Sequence, residues 1–313
     1  MQWTAFTRIQ LKALVYERET YFREGLADAS DIWGKSIDTV LKKIALLIIK
    51  PDGLKAGKAR VVLESLEAND FSVVAVEVTE MMRIHWRELW RYQLTSATLD
   101  RLAVNDIVLR DRALLLLLRY DKELTLPASV RLSKLKGPSD VSLQSPNCLR
   151  RALEQPNRIF SFIHVADEPA DVLRELAILL DRPARRELVQ RFADGELTRA
   201  DHDLLQEVVA NSEASKKAID VKGSLERVEL AVLSSQSERD ENVQRVLDDL
   251  SQMRSGERIS WRRFVEALAA SGAEVDPWDL ATLGASFIVY DEPGHPKLIT
   301  AVDASLWNEL QPS

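Results

Sequence analysis

Two short stretches carry side chains whose types and spacing suit phosphate chemistry. In Ile48-Ile49-Lys50-Pro51-Asp52-Gly53, an apolar run ends in a lysine and a Pro-Asp-Gly turn. The turn fixes the backbone direction, so the lysine projects past the strand end, where an ammonium can meet a ligand phosphate. In Asn157 to Glu175, NRIFSFIHVADEPADVLRE, a second apolar run ends in His164, and Asp167 is placed to cap the helix that follows. Glu175 falls near the middle of that helix, which can fold it back toward His164. A carboxylate bound to one imidazole nitrogen fixes the tautomer and leaves the other nitrogen free as a nucleophile. Taken singly, a lysine before a turn is a solvated strand end and an isolated histidine is a hydrogen-bonded core residue. The two stretches gain meaning only if the fold brings them together.

The intervening pattern supplies such a fold. Four short apolar runs read as strands covered on one or both faces: Ala45 to Lys50, Phe71 to Val78, Ala113 to Tyr120 and Arg158 to His164. Between them lie helical stretches at Ala59 to Asn69, Ile84 to Leu94, Ala97 to Leu109 and Pro127 to Lys136, then an irregular loop from Gly137 to Asn147. Pro169 suits the first turn of a last helix that reaches about Leu180. This order predicts an α+β domain, a ferredoxin-like four-stranded antiparallel sheet with helices packed against it. The expected organisation is a helical extension over 1–43, this domain over 44–181, a helical region over 182–255, and a small winged-helix-like module over 256–313. The last module rests on a predicted hairpin, Ser286 to Tyr290 with Lys297 to Ala301, joined by Asp291 to Gly294.

Read together, the two stretches resemble nucleoside diphosphate kinases. That family has Lys-Pro-Asp-Gly after its first strand, matched by Lys50 to Gly53, and a catalytic histidine about a hundred residues on, matched by His164. The family's acidic residues three and eleven positions after the histidine are matched by Asp167 and Glu175, and its arginine thirteen positions before by Arg151, with Arg150 one place out of register. The resemblance covers roughly residues 44–181. It implies that His164 accepts a phosphoryl group with Glu175 behind it, while Lys50, Arg151 or Arg150, and Ser161 meet the nucleotide. Magnesium would arrive with ATP or another nucleoside triphosphate rather than on a site of the protein. Departures are plain: Ser161 stands for the family's asparagine, Ala166 for a serine that supports the carboxylate, and Ser139 for a threonine. Lys134 or Lys136 replaces an arginine and lacks its planar fork. Trp86, Trp90 and Tyr92 lie where the family stacks an aromatic on the base; at helical spacing they also fit a core stripe, Trp86 best.

Composition narrows the alternatives. With 313 residues and 46% hydrophobic content, the chain can bury a core larger than one small domain. The single cysteine, Cys148, excludes an intrachain disulfide framework, no apolar run reaches membrane-spanning length, and Met1 to Leu14 shows no secretory pattern, so a cytoplasmic protein is expected. A net charge of −7 argues against nucleic acid as a partner, and 255–313 holds four basic against nine acidic residues. Its cations must therefore be gathered where a polyphosphate binds. Two functions fit: a phosphotransferase that moves a terminal phosphate to a nucleoside diphosphate through phosphohistidine, and a catalytically weakened nucleotide sensor or scaffold acting through its C-terminal region. The resemblance also implies a homo-oligomer, and 182–313 is the expected surface for a protein partner.

Overall fold

A computed structural model describes residues 3–235 and 241–308, apart from the side chains of Asp194 and Asn308. Three helices, α1 (Gln10–Tyr16), α2 (Thr20–Trp33) and α3 (Ile37–Lys43), lead into β1 (Ile44–Ile49). There follow α4 (Pro51–Lys55), α5 (Ala59–Glu67), β2 (Phe71–Met81), α6 (Arg83–Leu89), α7 (Leu99–Val108) and β3 (Asp111–Tyr120). The domain closes with α8 (Ala128–Lys136), α9 (Leu149–Ala152), β4 (Ile163–Val165) and α10 (Pro169–Leu179).

The strands form one antiparallel sheet in the order β2-β3-β1-β4, the ferredoxin-like arrangement expected from the sequence. All six residues of β1 are buried, because α8 and α10 both pack on this central strand. Every residue of α10 is buried as well, sandwiched between the sheet and α2. The sandwich is tight at Gly25 of α2, where a β-carbon would collide with the Leu173 carbonyl oxygen.

The fourth strand is shorter than its apolar run. Asn157 Oδ1 accepts hydrogen bonds from the Ile159 and Phe160 amides, and the Ser161 and Ile163 amides donate to carbonyls two residues back. These local bonds use up the donors that a longer ladder would need.

Beyond α10 the chain is helical: α11 (Arg182–Asp194), α12 (Arg199–Ala214), α13 (Val221–Ser234), α14 (Glu241–Arg254), α15 (Trp261–Ala270), α16 (Pro277–Phe287) and α17 (Ser305–Asn308). The predicted winged-helix hairpin is absent. Ser286 and Phe287 finish α16, and the two intended arms hydrogen-bond to 92–98 instead of to each other. Tyr92 O accepts from the Leu298 amide at 2.9 Å and the Ile299 amide at 3.3 Å, while Thr98 N donates to Tyr290 O at 3.1 Å and Asp291 bridges to Ala97. Burial of Ile288 and Ile299 against the preceding domain outweighs the turn propensity of Asp291 to Gly294. Among the described residues, no helix is long and apolar enough to cross a membrane.

Candidate functional site

The two sequence stretches meet because β1 and β4 are neighbours, with Ile48 opposite His164. Pro51-Asp52-Gly53 is the first turn of α4 rather than a free turn, and proline at that position costs no helical hydrogen bond. It does more than aim the lysine. Asp52, fully buried, accepts the Phe162 amide at 3.0 Å, and Lys50 N donates to Phe162 O at 2.9 Å. Phe162 has φ of 60°, a left-handed value unusual for an aromatic residue. A β-carbon on Gly53 would come 2.5 Å from Phe162 O, so only glycine lets α4 approach this loop. The first stretch thus clamps the strained turn that delivers His164.

His164 is held from both sides. Its Nε2 lies 2.9 Å from Glu175 Oε2, and its Nδ1 accepts the indole N–H of Trp90 at 3.1 Å. Indole nitrogen only donates, so Nδ1 carries the lone pair and Nε2 the proton. Burial pushes the Glu175 carboxyl above its ordinary value, and the neighbouring His164 opposes that rise. The neutral ring consequently presents its nucleophilic nitrogen on the Trp90 side, where both residues line a cavity of about 390 Å³. That volume is in the range of small-ligand sites.

The cavity gathers the positive charge of an otherwise acidic chain. Lys50, Arg150, Lys134 and Lys136 line it together with Arg101, Arg158 and Lys297, against one carboxylate, Asp167. Lys50 is buried, and burial lowers its pKa while Asp52, 3.3 Å away, resists. Burial brings Arg150 down to about 10, which leaves it charged at neutral pH. Its Nη1 donates to Gly137 O at 2.8 Å, while the buried Nε has no acceptor. Such an unsatisfied guanidinium nitrogen is costly unless an anion binds there.

The other expected residues divide. Ser161, Ser139 and Trp90 line the cavity. Arg151, which the family spacing favoured, is exposed and outside it, and Arg150, one residue off, takes the place. Helix α9 is short, so one step turns the side chain from cavity to solvent. Tyr92 also lies outside the cavity, packed between Tyr16 and the Arg174 guanidinium. Trp86 is core. Asp167 does not cap α10, whose N-cap is Glu168; it accepts Ser133 Oγ at 2.6 Å and Lys136 Nζ at 2.8 Å, holding α8 against the site. Burial pushes the Asp167 carboxyl up, but Lys136, Lys12 and these hydrogen bonds overcome it and hold it well below the usual range. Sequence reasoning missed Arg101, Arg158 and Lys297. Arg101 is tied to Asp291 from 190 residues away, a pairing with no local signal. Among the described residues, no cluster of His, Cys, Asp or Glu is arranged to hold a metal ion.

No protein family and no curated protein matches the sequence. Solved structures resemble part of the fold. A nucleoside diphosphate kinase of Aquifex aeolicus is 17% identical, with a TM-score of 0.37, over 45% of this chain and 96% of that one. A halophilic nucleoside diphosphate kinase from Halobacterium salinarum, in complex with CDP, is 16% identical, with a TM-score of 0.35, over 44% and 91%.

Proposed function

We propose that the cavity binds the phosphates of a nucleotide and that His164 Nδ1 accepts the terminal phosphoryl group, as in nucleoside diphosphate kinases. The observation that carries this reading is the fixed Nε2–H tautomer of His164, held by Glu175 at 2.9 Å beside a cation-lined cavity. A nucleoside triphosphate, entering with its magnesium ion, would set its phosphates against Lys50 and Arg150. The Nδ1 lone pair would attack the terminal phosphorus, the bond to the bridging oxygen would break, and the nucleoside diphosphate would leave with that electron pair. The half-buried ring would gain positive charge, which the Glu175 carboxylate would stabilise. Transfer to a second nucleoside diphosphate would return the histidine.

One observation favours the second reading, a nucleotide sensor with weakened transfer. The Trp90 indole N–H already occupies the Nδ1 lone pair, so attack requires that hydrogen bond to break. Ala166 supplies no polar support near Glu175, and the long C-terminal region offers a surface for a partner. A coupled assay of phosphate transfer from ATP to a second nucleoside diphosphate separates the two. The enzyme reading expects turnover that His164→Ala abolishes; turnover equal to that variant's leaves the sensor reading.

A further inference from the structure

Apart from Lys134 and Lys136 of α8, the cations of the cavity fall into two groups. Lys50 and Arg150 belong with His164, close enough that Arg150 perturbs Lys50. Arg101, Arg158 and Lys297 form the other group, which no feature of the transfer step uses. Here Asp291 Oδ1 lies 2.6 Å from Arg101 Nη1, and its Oδ2 lies 2.7 Å from Arg158 Nη1. Lys297, exposed at the cavity rim beside both guanidiniums, has no ion-pair partner among the described residues. Three cations against one carboxylate leave about two positive charges facing the same cavity.

A clamp that only fastened the C-terminal segment would need neither the third cation nor an orphan donor. Arg101 Nε is buried without an acceptor, and Lys297 lies beside the two guanidiniums without a carboxylate of its own. Both are costs that a bound anion would remove. The cavity is also poor in stacking surface: among the described residues, Trp90 is the single indole or phenyl ring lining it, and its N–H is committed to His164. This end of the site is therefore built to recognise charge rather than an aromatic face.

We propose that Arg101, Arg158 and Lys297 form a second anion subsite, which takes a phosphate carried on the sugar of a nucleotide whose phosphate chain lies at Lys50 and Arg150. Asp291 holds the two guanidiniums in place while their remaining N–H groups and the Lys297 ammonium meet the ligand. The inference rests on the nucleotide reading above and narrows it to nucleotides phosphorylated at two positions.

Titration calorimetry on the full chain tests it, comparing ADP with ADP that carries an additional 3′-phosphate. The second phosphate should tighten binding by about tenfold in the wild type. In Lys297→Gln and in Arg158→Gln the ratio of the two affinities should fall close to one. Lys297→Gln breaks no ion pair, so a packing defect in Arg158→Gln would not obscure the result. Equal affinities in the wild type, or a ratio retained in both variants, would overturn the subsite and leave the nucleotide reading standing. If neither nucleotide bound, the nucleotide reading would fall and take the subsite with it.

Discussion

His164 is worth more as a chemical group than its sequence position suggests, because its two nitrogens have different and fixed partners. Glu175 accepts a hydrogen bond from Nε2–H and Trp90 donates one to Nδ1. For the transfer proposed, the tryptophan contact would act as a brake. A neutral hydrogen bond contributes about 0.5–1.5 kcal/mol, so Trp90→Phe should speed phosphorylation of His164 by about two- to tenfold. The initial rate of phosphohistidine formation from ATP is the readout, and a slower rate would mean that Trp90 orients the ring productively. Glu175 adds a pH dependence. Because burial raises its pKa, the carboxylate form is lost as pH falls through that raised value. Labelling should decline on the acid side above the ordinary carboxylate range.

At the scale of elements, the site depends on helices meeting loops at short range. Gly53→Ala would force a β-carbon against Phe162 O and push α4 off the turn before His164. A destabilisation of about 1–3 kcal/mol in urea unfolding is expected, as for overpacking elsewhere. Asp167 joins α8 to β4, and its pKa is held down by Lys136 and Lys12 against the push of burial. A depressed carboxylate contributes stability that is complete above the unfolded value of about 4 and is lost as pH falls through the folded one. Asp167→Asn should therefore flatten the decline in stability between about pH 5 and 2. A decline as steep as the wild type's would place acid sensitivity elsewhere. Strand order was legible in the sequence because β1 and β3 are buried on both faces and leave unbroken apolar runs. The adjacency of Lys50 and His164 followed from that order. The choice of Arg150 over Arg151 was not legible, since it turns on the rotation of one short helix, and the hairpin failed because 92–98 competes for its backbone groups.

Over the whole molecule, both ends of the described chain converge on α10. Glu168, fully buried at its start, accepts Thr7 Oγ1, the Arg8 amide, Lys12 Nζ and Trp307 Nε1. The segments outside 44–181 are thus structural neighbours of the histidine loop, and the C-terminal one adds Lys297, Ala301 and Val302 to the cavity wall. Trp307 also stacks on the Arg8 guanidinium, 4.6 Å from its ring centroid, and packs with Leu126 and Val130. Trp307→Ala should cost about 3 kcal/mol, measured by urea unfolding. A cost below about 0.5 kcal/mol would mean that the C-terminal segment contributes little to holding the site together.

His164 is proposed as a nucleophile, and the direct measurement is to find phosphate on it. The full chain is incubated with ATP and magnesium, and labelled peptides are mapped by mass spectrometry under alkaline conditions. An acid-labile, alkali-stable phosphohistidine is expected at His164, absent in His164→Ala, slowed by about ten- to a thousandfold in Glu175→Ala, and discharged by a nucleoside diphosphate. Phosphate found only on other residues, or none at all, would contradict it.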